Sequence, residues 1–174
     1  MLEILKQRIF CLKSTSIGEL LVAKSHKGIC NIALGENREQ LLREFTARFS
    51  EVQQMDDDST FEREVAHIVA MIETPKLAKK PVFSLDIKGT VFQKKVWKLI
   101  CEVSCGETIS YKALAQRIGM PNAFRAVANA CAANELALII PCHRVVCKNG
   151  FISGYRWGIG RKKILLQREK GEGL

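Results

Sequence analysis

Three apolar runs of eight residues, QRIFCLKS, GELLVAKS and GICNIALG, follow one another between positions 7 and 35. Ser16-Ile17-Gly18 and His26-Lys27-Gly28 punctuate them. Short segments rich in Ile, Val and Leu, with glycine turns between them, read as an antiparallel meander. The chain then turns helical. Leu41, Leu42, Phe45 and Phe49 mark one helix face, and the acidic MDDDS beyond them reads as a loop. Ser59 with Glu62 forms a capping-box pattern ahead of Phe61, Val65, Ile68 and Ile72 at helical spacing. Pro75 and Pro81 bracket a basic linker, KLAKK, which places a domain boundary near positions 83–88.

The second half is mostly helical. Thr90 with Gln93 is another capping-box pattern; Phe92, Val96, Leu99, Ile100 and Val103 follow on one face, and Gly106 closes the helix. Ser110 caps YKALAQRI, Gly119 and Pro121 make a tight stop, and NAFRAVANACAAN restarts a helix. Two short helices around a glycine-containing turn fit either a helix-turn-helix or an ordinary helical hairpin. In the first case Arg125 lies in the opening turns of the second helix, the part that meets DNA. The small residues Ala123, Ala126, Ala128, Ala130, Ala132 and Ala133 would let that helix approach closely. Further on, CKNGFISGYRWGIG is punctuated by glycine, with Asn149-Gly150 as a hairpin-turn dipeptide, and reads as a wing or a pocket wall. The last helix, RKKILLQREK, turns Ile164 and Leu165 inward and many cations outward.

Charge separates the halves. Residues 1–85 hold 12 Lys+Arg and 12 Asp+Glu, whereas residues 86–174 hold 15 and 6, so the whole net charge of +9 sits in the second half. A lopsided basic half points to a polyanion, most often nucleic acid. The seven cysteines are odd in number, contain no C-x-x-C pair and suggest neither a disulfide framework nor a zinc clip. They read as thiols of a reducing compartment. No apolar run approaches membrane-spanning length and the N-terminus lacks a leader pattern, which predicts a soluble, cytoplasmic protein without a membrane partner.

The segment IIPCHRVV, 139–146, carries the chemistry. A cysteine, a histidine and an arginine stand side by side where an apolar run meets a proline. The plain reading is a cysteine buried as a small apolar residue. The reactive reading is a thiolate beside cations, a soft nucleophile, with His143 as its base directly or through one water. His26 falls at a turn and His67 inside a helix, where surface or packing roles suffice. A thiol nucleophile on a DNA-binding module suggests attack on an alkylated base turned out of the stack. Rival readings are a winged-helix regulator that binds without chemistry and a thiol hydrolase, for which no oxyanion motif is visible.

IIPCHRVV, GETISYKALA, AFRAVANACAAN and SGYRWGIGRKKILLQRE together resemble the O6-alkylguanine-DNA alkyltransferases, the methylated-DNA–protein-cysteine methyltransferases, and most of all the alkyltransferase domain of bacterial Ada proteins. The match is dense over 86–170 and weaker over 1–85. The resemblance implies an α+β fold: a small ribonuclease-like N-terminal domain over 1–85, with an antiparallel sheet plus helices, then a mostly helical winged helix-turn-helix domain over 86–174. It implies a cofactor-free, metal-free monomer that flips a damaged nucleotide out of double-stranded DNA. One irreversible transfer then moves an alkyl group from O6 of guanine to Cys142, with O4 of thymine as a second candidate donor.

Position by position, the resemblance implies that Cys142 accepts the alkyl group and that His143, held by Glu169, activates it through a water. Tyr111 would donate to N3 of the leaving guanine, and Arg125, beside Ala126 on the DNA-facing helix, would fill the vacated place in the stack. Asn134 would tie that helix to the Cys142 strand. Carbonyls of Cys142 and Val145 would receive the exocyclic amine, with Tyr155, Arg156, Trp157 and Cys131 around the pocket. Arg156 and Trp157 depart from the vertebrate-type pattern of Ser and Gly. An indole at 157 is expected to narrow the pocket against a benzyl group.

Overall fold

The computed structural model describes residues 7–55 and 58–171. Strands β1 (Arg8–Thr15), β2 (Gly18–Ser25) and β3 (Gly28–Gly35) form the expected antiparallel meander, and β4 (Val52–Gln54) joins the far edge of β1 in parallel, giving the order β3-β2-β1-β4. Side chains alternate across a strand, and here both faces are covered. Phe10, Leu21, Ala23 and Cys30 meet Leu41 and Phe45 of helix α1 (Arg38–Thr46). Cys11, Leu20, Val22, Ile29, Ile32 and Leu34 face the other way, into the main core. Burial on both sides explains why the three runs read as continuous apolar segments and not as alternating ones.

That main core belongs to both halves of the chain. Phe61, Val65, Ile68 and Ile72 of helix α2 (Ser59–Glu73) enter it beside Val96, Trp97 and Ile100 of helix α3 (Val91–Cys101). Leu114 of helix α4 (Tyr111–Arg117), Val127 and Ala130 of helix α5 (Phe124–Ala132) and Leu165 of helix α6 (Ile159–Lys170) complete it. The free edge of β3 also binds the second half through its backbone. Ile29 N donates to Ser84 O at 2.9 Å and Asp86 N to Ile29 O at 2.9 Å; Ile32 N donates to Glu135 O at 2.8 Å and Ala137 N to Ile32 O at 3.1 Å. Gly28 (φ +139) lies so close to the Ser84 carbonyl that a Cβ would collide with it.

Several local expectations hold, and several shift. Thr90 and Gln93 form the reciprocal capping box, and the Ser110 side chain accepts from Ala113 N. The cap of α2 is Asp58, not Ser59: its carboxylate accepts from Thr60 N and Phe61 N, a stronger cap than a hydroxyl one residue later. The α1 face ends at Thr46, before Phe49. Asp56 and Asp57 of the expected acidic loop lie outside the described residues. Helix α3 stops at Cys101, and Gly106 instead takes a left-handed turn (φ +85) five residues later. After β6 (Val145–Val146), which pairs in parallel with β5 (Ile109–Ser110), the Asn149-Gly150 step closes a tight turn, Cys147 N to Phe151 O at 3.0 Å. Among the described residues no second strand pairs with β6 to make a hairpin there. None of the described helices is long and apolar enough to cross a membrane.

Candidate active site

The chain leaves α5, passes the fully buried Asn134, and doubles back through 135–140 to Pro141. Leu138 takes a left-handed backbone (φ 72) in this return, a conformation that costs a non-glycine residue about 1–2 kcal/mol. Cys142–Arg144 then form one 3-10 turn, where an extended strand was expected. Asn134 staples the return together. Its Nδ2 donates to Ile140 O at 2.9 Å and contacts Cys142 Sγ at 3.2 Å, while its Oδ1 accepts from Leu136 N at 2.9 Å.

Cys142 and His143, neighbours in the 3-10 turn, line different cavities. Cys142, 4% exposed, lines a cavity of about 400 Å³ with Tyr111, Ala128, Cys131, Tyr155 and Arg156. Burial pushes its thiol up to about 11; the Asn134 amide and the cations Lys162 and Arg156 oppose that shift. At neutral pH it therefore rests as a thiol and becomes a nucleophile only when a base takes its proton. Tyr111, at the start of α4, accepts from Ser153 Oγ at 3.2 Å, and burial holds its hydroxyl protonated, above the ordinary tyrosine range. Neighbouring Cys131 is pushed up to about 12 by burial and by Cys142.

His143, 2% exposed, donates from Nε2 to Glu169 Oε1 at 2.8 Å. That bond leaves the imidazole lone pair on Nδ1, which is buried and has no protein partner. Burial pushes His143 below the ordinary histidine range, against the pull of Glu169. Burial alone would raise Glu169, yet bonds from His143 and Arg144 hold it at about 2. His143 and Arg144 together keep Glu169 ionised, and Arg144 is the partner that carries a permanent charge. Arg144 grips the carboxylate with Nε at 3.0 Å and Nη2 at 2.9 Å, and Gly106 N approaches it at 3.3 Å. The sequence showed Arg144 only as a neighbour of the nucleophile; the fold makes it the counter-charge of Glu169. Together these groups supply what a base-activated nucleophile needs: a thiol on a cavity wall, a neighbouring imidazole with a free lone pair, and a carboxylate behind it to stabilise an imidazolium.

Residues 91–171, which contain all of these groups, match the family model described as the 6-O-methylguanine DNA methyltransferase DNA-binding domain. The methylated-DNA–protein-cysteine methyltransferase of Methanosarcina barkeri is 37% identical over 158 residues, covering 88% of this chain and 92% of that protein. The chain belongs to the methylated-DNA–protein-cysteine methyltransferase family. The regulatory protein ada of Salmonella typhimurium is 48% identical over 152 residues, 87% of this chain, but the chain spans only 42% of that relative's length. Among solved structures, Mycobacterium tuberculosis OGT in complex with DNA matches with a TM-score of 0.79 and 32% identity, covering 94% of both chains.

Within this family member, α5 serves two surfaces a turn apart. Arg125 and Ala126 are exposed at its start, with the Arg125 guanidinium 6.0 Å from the Phe124 ring, while Ala128 and Cys131 face the cavity. Val145 is fully buried, and its carbonyl accepts from Lys162 Nζ. Trp157 departs from expectation. It is 7% exposed, meets Tyr155 edge-on at 5.2 Å and stands behind that ring, outside the cavity wall, while Arg156 takes the wall position. The indole finds an apolar bed in the main core, which its area favours over a polar pocket rim.

The sequence reading missed Lys162. It turned many cations of α6 outward and singled out none for the core, yet Lys162 is completely buried, with Nζ donating to Val145 O at 2.6 Å and reaching Gly154 O at 3.4 Å. Its ammonium thereby ties the segment after the nucleophile to the cavity wall. Burial lowers its pKa, opposed by the thiols of Cys142, Cys131 and Cys147 around it. The spacing 162, 165, 166, 169 is a helix stripe, and its two charged ends were the available signal.

Proposed function

We propose that this chain repairs DNA by direct reversal, moving a methyl or other alkyl group from O6 of guanine to Cys142 once per molecule. The observation that carries this is a buried thiol lining a 400 Å³ cavity, backed by a neutral histidine whose far nitrogen is fixed by an ionised carboxylate. His143 Nδ1 takes the thiol proton through one water. Cys142 Sγ attacks the alkyl carbon, the bond to O6 breaks, and guanine leaves with a proton supplied by Tyr111. A placed donor matters because charge grows on the leaving base. The resulting thioether has no easy route back, so each molecule acts once. Residues 1–85 serve as a ribonuclease-like support and 86–174 as a winged helix-turn-helix module, acting as a cytoplasmic monomer without a cofactor.

The donor has to be flipped out of double-stranded DNA to reach the cavity. Exposed Arg125 and Ala126 on α5 suit the docking face, with Arg125 filling the gap in the stack; the DNA complex of the Mycobacterium tuberculosis relative supports DNA as partner. Carbonyls of Cys142 and Val145 receive the exocyclic amine, and the Val145 oxygen has a second lone pair beyond the one Lys162 occupies. Intact-mass spectrometry after incubation with a duplex containing O6-methylguanine tests the reading. One methyl gained on Cys142, abolished in Cys142→Ala while DNA binding persists, is the expected result. A methyl on Cys101, Cys131 or Cys147, or none at all, overturns it.

A further inference from the structure

The cavity beside Cys142 carries one permanent cation on its wall, and that cation has no acidic partner. Arg156 is exposed, and Nη1 alone is engaged, to the backbone carbonyls of Asn134 at 3.1 Å and Ala132 at 3.4 Å. Among the described residues no carboxylate pairs with it, whereas Arg144 and Arg161 both hold glutamates. The Trp157 ring, 5.8 Å from the guanidinium, backs it from the core side. One carbonyl partner is that of Ala132, at the end of α5; the other is that of Asn134, whose amide touches the Cys142 sulfur, and Arg156 and Cys142 line the same cavity.

A methyl group needs no cation. An alkyl group ending in a carboxylate does, because it must bring a negative charge up to the thiolate of a buried Cys142, and like charges repel. A guanidinium with unused donors on the wall accepts a carboxylate in a paired, charge-assisted geometry that a lysine cannot copy. The cavity of about 400 Å³ also extends to the Ser153-Gly154 segment, which leaves room for more than a methyl.

We propose that Arg156 selects for O6 adducts that end in an anion, carboxymethylguanine being the simplest. The inference rests on the proposed alkyl transfer. The step balances as before. Cys142 Sγ forms a bond to the methylene carbon of the adduct and the methylene–O6 bond breaks. Its electron pair stays with guanine, which takes a proton from Tyr111; the proton that the thiol gave to His143 then restores Tyr111 through water, and the carboxylate passes through unchanged.

The test measures single-turnover rates on duplexes carrying O6-methylguanine, O6-carboxymethylguanine and the uncharged amide of the latter, for wild type, Arg156→Ala and Arg156→Lys. The readout is the rate on the carboxylate divided by the rate on the amide, so any contribution of Arg156 to DNA or guanine binding cancels. Wild type is expected to favour the carboxylate. Arg156→Ala is expected to cut the ratio about tenfold or more, the loss of one charge-assisted bond, with Arg156→Lys between. A ratio unchanged by Arg156→Ala, or a wild type that prefers the amide, overturns the assignment while leaving methyl transfer intact. Failure of wild type on O6-methylguanine itself would instead sink the repair reading, and the proposal with it.

Discussion

Removing the Asn134 side chain should damage both the fold and the nucleophile, in separable amounts. Asn134 is completely buried, and two of its bonds are short, to Ile140 O and from Leu136 N, both at 2.9 Å. Asn134→Ala strands that carbonyl and that amide in the core, and each stranded group costs about 1–3 kcal/mol. The longer approaches to Leu136 O and Cys142 Sγ add little. A total of about 3–4 kcal/mol is a large share of the 5–15 kcal/mol typical of a domain and lowers Tm by roughly 10 °C in a chain of this size. Asn134→Asp separates the roles. It keeps the acceptor for Leu136 N but sets an oxygen against Ile140 O and the sulfur, so the new carboxyl stays protonated in the fold. With its folded pKa raised above the unfolded value, its deficit should be small near pH 4 and grow as pH rises. Urea and thermal unfolding across pH, followed by both fluorescence and circular dichroism, measure this. A loss below about 1 kcal/mol for Asn134→Ala, or a deficit of Asn134→Asp that is flat with pH, would refute the reasoning.

Glu169→Gln should slow methyl transfer at pH 7 by about tenfold or more, through loss of the group that orients and charges His143. Because Glu169 opposes the burial that lowers His143, the acid limb of the rate profile should also move to lower pH; a limb that moves up would contradict the assignment. In the wild type, the Glu169 carboxyl contributes stability that is complete above about 4.5 and disappears as pH falls through about 2, a window that Glu169→Gln should erase from the acid-unfolding curve. Arg125→Ala should weaken repair in duplex far more than in single strands, where there is no stack to refill, and equal losses would remove that role. Trp157→Gly should destabilise the protein by about 3–5 kcal/mol, as expected for deleting a buried indole. It should also sensitise the protein to free O6-benzylguanine by loosening Tyr155; equally fast inactivation of both forms would show that the indole does not restrain that wall.

The meander, the Thr90 and Ser110 caps and the reactive PCHR residues were legible because each follows from local chemistry: apolar runs between glycine turns, a hydroxyl ahead of a helix, a nucleophile beside a base. What escaped depended on distant partners. DDDS offers four capping residues in a row, and only the fold singles out Asp58. Lys162 is one of three consecutive basic residues, and nothing in RKK marks the middle one for the core until the Val145 and Gly154 carbonyls arrive beside it. Trp157 looks like a pocket residue by position along the chain, yet a one-residue step on irregular backbone sends Arg156 to the cavity and the indole behind Tyr155. Leu138 carries no signature of its left-handed backbone, because the residues around it impose that conformation.

The edge of β3 has a consequence for how this chain tolerates change. Ile32 hydrogen-bonds on both sides of Leu136, within the return that leads from Asn134 to Cys142, so a strand made more than a hundred residues before the nucleophile acts as its splint. The splint holds a stretch under tension at Leu138, and tension held from one side is released when the grip loosens. Variation at Ile32 therefore reaches the thiol without touching the cavity, and the first half is inherited with the second as one mechanical unit. A proline at Ile32 would make the point with a single atom's worth of chemistry: it deletes the amide that holds Glu135, and the reactive turn loses its fixed end.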